Sequence, residues 1–126
     1  MATSDPYATH LGVRLVDSDP ERLRATLNVE SRHTNFMGLV HGGVVYSLAD
    51  IALSLISNAA VEAVALDTHL VQSASAREGD RLTATARPAT RSRSVATYQI
   101  TVERSDGRII GLFTGTVFHR GERNVG

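Results

Sequence analysis

A single carboxylate, Asp50, stands inside residues 42–58, a run otherwise built of Gly, Ala, Val, Leu, Ile, Ser, Asn and one Tyr. An ionised carboxylate on so apolar a surface is costly unless another group pairs with it or a reaction uses it. It reads as a catalytic carboxylate, or as an Asp on the one solvated stripe of a surface helix. His41-Gly42-Gly43 opens the same run. Two residues without side chains at a helix start leave the first N–H groups open to close approach, and the positive end of the helix dipole favours an oxygen gaining negative charge. That describes an oxyanion site, although a Gly-Gly pair also serves a tight turn or close packing. Ser54 lies at i+4 from Asp50 on the same face. Its hydroxyl either orients the carboxylate or an attacking water, or bonds back to a helix carbonyl.

Spacing decides how these groups meet. The eight-residue step from Gly42 to Asp50 is ~12 Å along a helix axis, well over two turns. On one helix they never touch the same atom. If both act on one carbonyl, the Asp must come from the antiparallel helix of a symmetry-related subunit. The spacing thus predicts a homodimer with two shared sites.

The elements that must position these groups follow from periodicity and breakers. Asp5-Pro6 is an N-cap and first helical residue for a short helix ending at Gly12, and residues 13–16 read as extended. Leu23, Ala25, Leu27 and Val29 alternate with Arg22, Arg24, Thr26 and Asn28, the pattern of a strand half-buried against the helix that begins near Gly42. A polar loop over residues 30–40 holds Asn35. Strand patterns return at residues 61–70, 81–88, 94–103 and 108–118, and Asp106-Gly107 suits a type I′ hairpin. One long apolar helix followed by three or four hairpin-linked strands implies an α+β fold, an antiparallel sheet curling around the helix.

Composition narrows the class. At 126 residues the chain makes one domain, 1–126. Thirteen basic residues, all Arg, balance thirteen acidic ones, so net charge does not suggest a nucleic-acid partner. With no Cys there is no disulfide, thiolate zinc site or cysteine nucleophile. His10, His33, His69 and His119 lack ligand spacing and read as surface or strand residues, so no metal is expected. The apolar run is short and carries Asp50, which argues against a membrane span. No secretory pattern opens the chain, which reads as cytoplasmic. Nucleophile-elbow, phosphate-loop and dinucleotide motifs are missing.

The pattern N-x-x-G-x-x-H-G-G-x(5)-L-A-D, met as Asn35, Gly38, His41, Gly42, Gly43, Leu48, Ala49 and Asp50, resembles the hotdog-fold thioesterases of the phenylacetate-degradation (PaaI) type. The likeness extends to A-V-A-L at 63–66, E-G-D-R-L-T-A at 78–84, R-S-R-S-V-A-T-Y at 91–98 and L-F-T-G-T-V-F at 112–118. It implies a hotdog fold, a long central helix wrapped by a curved antiparallel sheet. It also implies hydrolysis of acyl-CoA thioesters, an aryl or hydroxylated phenylacetyl group being expected, with Asp50 as general base or nucleophile. By the same resemblance Gly42 N–H polarises the carbonyl, His41 and Asn35 shape the site, and the assembly is a homotetramer. No cofactor is expected, because coenzyme A enters as part of the substrate. Arg91 and Arg93, at a turn, are candidates for its phosphates, or else a solvated corner.

Two departures stand out: the family's aromatic-x-Arg-Pro is Gln-Ser-Ala-Ser-Ala at 72–76, and its frequent Ser or Thr at 65 is Ala. They bear on acyl preference and water placement. Phe36, Met37 and Tyr46, near the motif, do not fix the acyl pocket. Two other readings are a non-catalytic acyl-CoA sensor, which has no need of Asp50, and a hotdog hydratase or dehydratase, which pairs a His with a carboxylate differently.

Overall fold

The computed structural model describes residues 4–59 and 61–122, the last two by backbone alone. The Asp5 side chain accepts hydrogen bonds from Tyr7 and Ala8 N–H, Pro6 takes the first helical position, and Gly12 closes helix α1 (Pro6–Leu11) at φ 89°. Each is the signal read from sequence. Strands β1 (Arg14–Asp19) and β2 (Arg22–Asn28) follow as an antiparallel pair. Leu23, Ala25, Leu27 and Val29 all enter the core.

Helix α2 (Gly42–Ser57) carries the long apolar run and buries Val45, Leu48, Ala49, Ala52, Leu53 and Ile56. Four strands complete the chain: β3 (Val61–Gln72), β4 (Arg81–Arg91), β5 (Val95–Arg104) and β6 (Ile109–Glu122). All six form one antiparallel sheet ordered β1-β2-β4-β5-β6-β3. This is the α+β hotdog architecture, the sheet wrapped on α2. Close seating of helix on sheet depends on Gly115 of β6, where a Cβ would stand 2.5 Å from Leu53 Cδ2. Any larger residue there forces the Leu53 side chain to repack.

β4, β5 and β6 run as three successive hairpin-linked strands after the helix, as read from the sequence, and β3 lies at the sheet edge paired with β6. One detail that differs from the sequence reading is the Asp106-Gly107 turn. Gly107 N–H donates to Arg104 O, and Gly107 alone of the pair is a glycine, at φ 88°. The loop is therefore a three-residue turn with a left-handed glycine and a neighbouring register shift, not a two-residue type I′ turn. Among the described residues no helix is long and apolar enough to cross a membrane.

His33 corrects a second expectation, since it is neither on the surface nor in a strand. It ends a short 3-10 helix (Ser31–His33) and is 2 % exposed. Its Nδ1 accepts from Glu30 N–H at 2.9 Å, which leaves Nε2–H to donate to Leu11 O at 2.9 Å. Arg32 caps the same end of α1 through His10 O and Leu11 O. The His33 carbonyl accepts from His41 N–H at 2.8 Å, so one buried residue ties α1 to the entrance of α2. His33→Ala strands buried backbone groups and leaves a void, a loss of about 2–4 kcal/mol. Urea unfolding should report it; a change below about 0.5 kcal/mol, the usual surface range, would contradict this role.

Candidate active site

His41 is the N-cap of α2, with its Nδ1 accepting from Gly43 N–H at 2.9 Å and its carbonyl from Val44 and Val45 N–H. The glycine pair is thereby divided. Gly43 spends its amide on the cap, and among the described residues nothing accepts from Gly42 N–H. It is the unused donor at the positive end of a sixteen-residue helix. Asn35 sits beside it on a tight turn whose Oδ1 accepts from Met37 and Leu39 N–H, with Gly38 at φ 76°. That commits the Asn35 carbonyl and leaves its amide nitrogen for the hollow it lines with Gly42, Leu39 and Gln72.

Gly42, Tyr46, Asp50 and Ser54 recur every four residues and form one stripe of α2. The stripe faces edge strand β3. Gln72 lies over Gly42, the Tyr46 hydroxyl meets Thr68 Oγ1 at 2.6 Å, and Asp50 and Ser54 line a cavity of about 140 Å³ with Ala63, Ala65 and Val117. Tyr46 is held by an edge-on contact with Phe113, centroids 5.4 Å apart. The groove thus has an amide at one end, a phenol and a hydroxyl in the middle, and a carboxylate at the other. Thr68 and Gln72 escaped the sequence reading as groove residues. Their i, i+4 spacing on one face of a strand was the signal available.

Asp50 is half-buried, and no described residue gives its carboxylate a hydrogen bond or an ion pair. Burial pushes its carboxyl above the usual aspartate range, and the nearby charge of Asp5 adds to the rise. Ser54 shares its cavity, as the i+4 spacing implied. Arg91 lies elsewhere: it pairs with Glu21 at 2.8 Å, bonds Pro20 O and stands over the Tyr98 ring. Its hollow touches the Asp50 cavity through Ser57, which lines both. Arg93 offers only its carbonyl, to His119, and its side chain has no described partner. Among the described residues no group of three or more His, Asp or Glu could hold a metal ion.

Residues 37–110 match the model of the thioesterase superfamily. The chain belongs to that family and is a hotdog-fold hydrolase. Within it the chain is similar to the PaaI type. A Deinococcus radiodurans protein assigned as an esterase is 44 % identical over 90 % of this chain and 79 % of its own length. The acyl-coenzyme A thioesterase PaaI of Escherichia coli is 28 % identical over 91 % of this chain and 83 % of its own. The structure of the E. coli PaaI protein from the phenylacetic acid degradation operon superposes with a TM-score of 0.91 over 94 % of this chain and 87 % of that one. The TT0310 protein of Thermus thermophilus, 36 % identical, gives 0.89 over 93 % and 99 %. A Streptococcus mutans protein solved bound to acetyl CoA, 25 % identical, gives 0.85 over 89 % and 91 %.

The Asp50 environment makes a stability prediction. Its folded carboxyl ionises less readily than the unfolded one, so between the two pKa values the native state holds more protons and loses stability as pH rises. Below that interval the residue is neutral in both states. Asp50→Asn should therefore raise the melting temperature at neutral pH, with the gain shrinking as pH falls through the ordinary carboxylate range. Thermal unfolding across that range checks it, and a lower melting temperature for the Asn variant at neutral pH would contradict it.

Proposed function

We propose that this protein hydrolyses acyl-CoA thioesters, an aryl or hydroxylated phenylacetyl group being the expected acyl part, to the free acid and coenzyme A. The observation that carries the reading is the unused Gly42 amide and the unpartnered Asp50 carboxylate on one open helix stripe, ~12 Å apart by helical rise. Each is half of a site. A homodimer completes both: Gly42 N–H of one protomer polarises the thioester carbonyl while Asp50 of the partner subunit acts on its carbon. As general base, Asp50 takes a proton from water as the water oxygen bonds to carbon. As nucleophile, it bonds directly and water then cleaves the anhydride. On either route the C–S bond breaks and the thiolate leaves and is protonated; the water oxygen enters the acid directly on the first route, and on the second it enters the acid or the Asp50 carboxylate according to which anhydride carbon water attacks. His41 and Asn35 hold the oxyanion end, with Gly43 locked by the cap. Ser54 sits beside the carboxylate. A thioester is reactive enough for one carboxylate and an oxyanion site to suffice, so no cofactor or metal enters the proposal.

The protomer's surface supports the assembly. β3 is a twelve-residue edge bordering the groove, with Val64 and Leu66 exposed. Long unpaired apolar edges invite another strand. Phe36, 96 % exposed, and Met37 stand beside the oxyanion end, where a second copy covers them. Pairing of such dimers gives the expected tetramer, a single-domain cytoplasmic enzyme. Arg93, and Arg91 if it leaves Glu21, are proposed to contact the CoA phosphates.

The central test is kinetic. Asp50→Asn keeps the shape and removes the base, so kcat should fall by roughly 10²–10⁴ with the oligomer intact, and the acidic limb of the rate profile should disappear. Gly42 is the first helical residue, where proline is accepted and the N–H is lost. Asp50→Asn and Gly42→Pro chains, each inactive, should recover about a quarter of wild-type activity on equal mixing, because half the dimers would hold one intact site of two. No recovery despite proven subunit exchange would place both groups in one protomer. Near-normal turnover by Asp50→Asn alone would remove the mechanism. Replacing Arg91 and Arg93 by Ala should raise KM more than it lowers kcat and weaken the salt dependence. An unchanged KM would assign them to the hairpin corner.

A further inference from the structure

We propose that the side-chain amide of Gln72 is the second donor of the oxyanion site, its Nε2–H converging with Gly42 N–H on the thioester oxygen. The inference rests on the function proposed above and adds a residue to it. A Cβ at Gly42 would lie 2.5 Å from Gln72 Nε2 and 3.4 Å from its Cδ, so the carboxamide rests directly against the Gly42 backbone. Standard bond lengths and angles put a residue's N about 2.5 Å from its own Cβ position, so Gln72 Nε2 lies no more than about 5 Å from Gly42 N. Two donors that close can share one acceptor, since an oxygen at about 2.9 Å from each spans up to about 5.8 Å. Both are available: among the described residues neither the Gln72 carboxamide nor Gly42 N–H has a hydrogen-bond partner. They line one hollow with Asn35, Leu39 and Val40.

The backbone fixes where the amide hangs. Gln72 is the last residue of β3 and faces Gly111 of β6 in register. The next residue is pinned twice, Ser73 N–H donating to Ile110 O and Ser73 Oγ to Ile109 O. The anchored strand end fixes the Gln72 Cα beside Gly42, and the exposed carboxamide reaches the glycine from there. The glycine then has a second reason to be there. Any side chain at 42 displaces the Gln72 amide from the groove as well as blocking the approach of the carbonyl.

The test reads carbonyl polarisation directly. An acyl-CoA carrying a ¹³C-labelled thioester carbonyl, phenylacetyl-CoA, is bound to the slow Asp50→Asn protein, and its carbonyl stretch is compared with the same complex of Asp50→Asn/Gln72→Leu. With Gln72 donating, the bound band lies below its position in free thioester and moves back toward it in the Leu variant. In the Asp50 background Gln72→Leu should lower kcat about 10- to 100-fold with KM changed less than about three-fold, because the donor is needed most where charge develops. Gln72→Glu, of equal length but carrying no donor at neutral pH, should lose more. An unmoved carbonyl band, or kcat of Gln72→Leu within about two-fold of the parent, overturns the role of Gln72 and leaves the proposed function standing. Failure of Asp50→Asn to bind the acyl-CoA at all, with its oligomer intact, overturns both.

Discussion

A straight α-helix advances ~1.5 Å per residue, and that fixed rise sets the terms for everything else in this structure. It places the free Gly42 amide and the Asp50 carboxylate on one stripe and keeps them apart. A kink or a loop between them would bring them together, but α2 runs unbroken from Gly42 to Ser57. Burial holds the helix on the sheet. Val45, Leu48, Ala52 and Ile56 are buried, and Gly115 leaves room for the Leu53 side chain. On the mechanism proposed above, the same packing that makes the domain stable prevents a protomer from assembling a complete site.

The apparatus at the start of α2 is correspondingly rigid. His33, buried behind it, holds the end of α1 with its ring and His41 with its carbonyl, while His41 in turn caps Gly43. One chain of hydrogen bonds thus runs from α1 to the helix N-terminus and ends at the Gly43 amide, next to the Gly42 amide that remains unused. Were His41 Nδ1 to bond Gly42 instead, the donor would be lost. The cap therefore selects which of two adjacent glycines faces the groove, a choice that the doublet Gly-Gly does not itself make.

Local signals carried most of the architecture. Asp5-Pro6 and Gly12 bracket α1 because capping and left-handed closure are decided within a few residues, and the alternation through Leu23 to Val29 marked a one-sided strand. The partner of β3 was not legible, because residues 61–72 pair with β6 about forty to sixty positions further on and nothing local in either strand records it. His33 was misplaced for a related reason. A histidine becomes a buried core residue when two backbone groups, here Glu30 N–H and Leu11 O, come to flank it, and Leu11 is distant in sequence. Within the site, the shared face of Asp50 and Ser54 and the separation of Gly42 from Asp50 were readable from spacing alone. The β3 side of the groove was not, since Thr68 and Gln72 gain meaning only once the strand lies along α2.

The groove is polar along its length, donors gathering at the Gly42 end and an unpaired acceptor at the Asp50 end. Within one protomer this polarity is a cost, since Asp50 is half-buried, has the charge of Asp5 near it and meets no cation among the described residues that lowers its pKa. On the proposed assembly a two-fold axis reverses one groove against the other and brings each carboxylate toward the N-terminus of the partner helix. That terminus carries about half a positive charge. The arrangement supplies Asp50 with an electrostatic counterpart that is a dipole rather than a side chain, so the carboxylate is encouraged to ionise without being neutralised by an ion pair that would tie up its lone pairs. A lysine or arginine at 54 in place of Ser54 would steady the charge equally well and spoil its basicity. The missing salt bridge at Asp50, which reads as a defect of the isolated fold, is then the feature that keeps the base available to water or to the thioester.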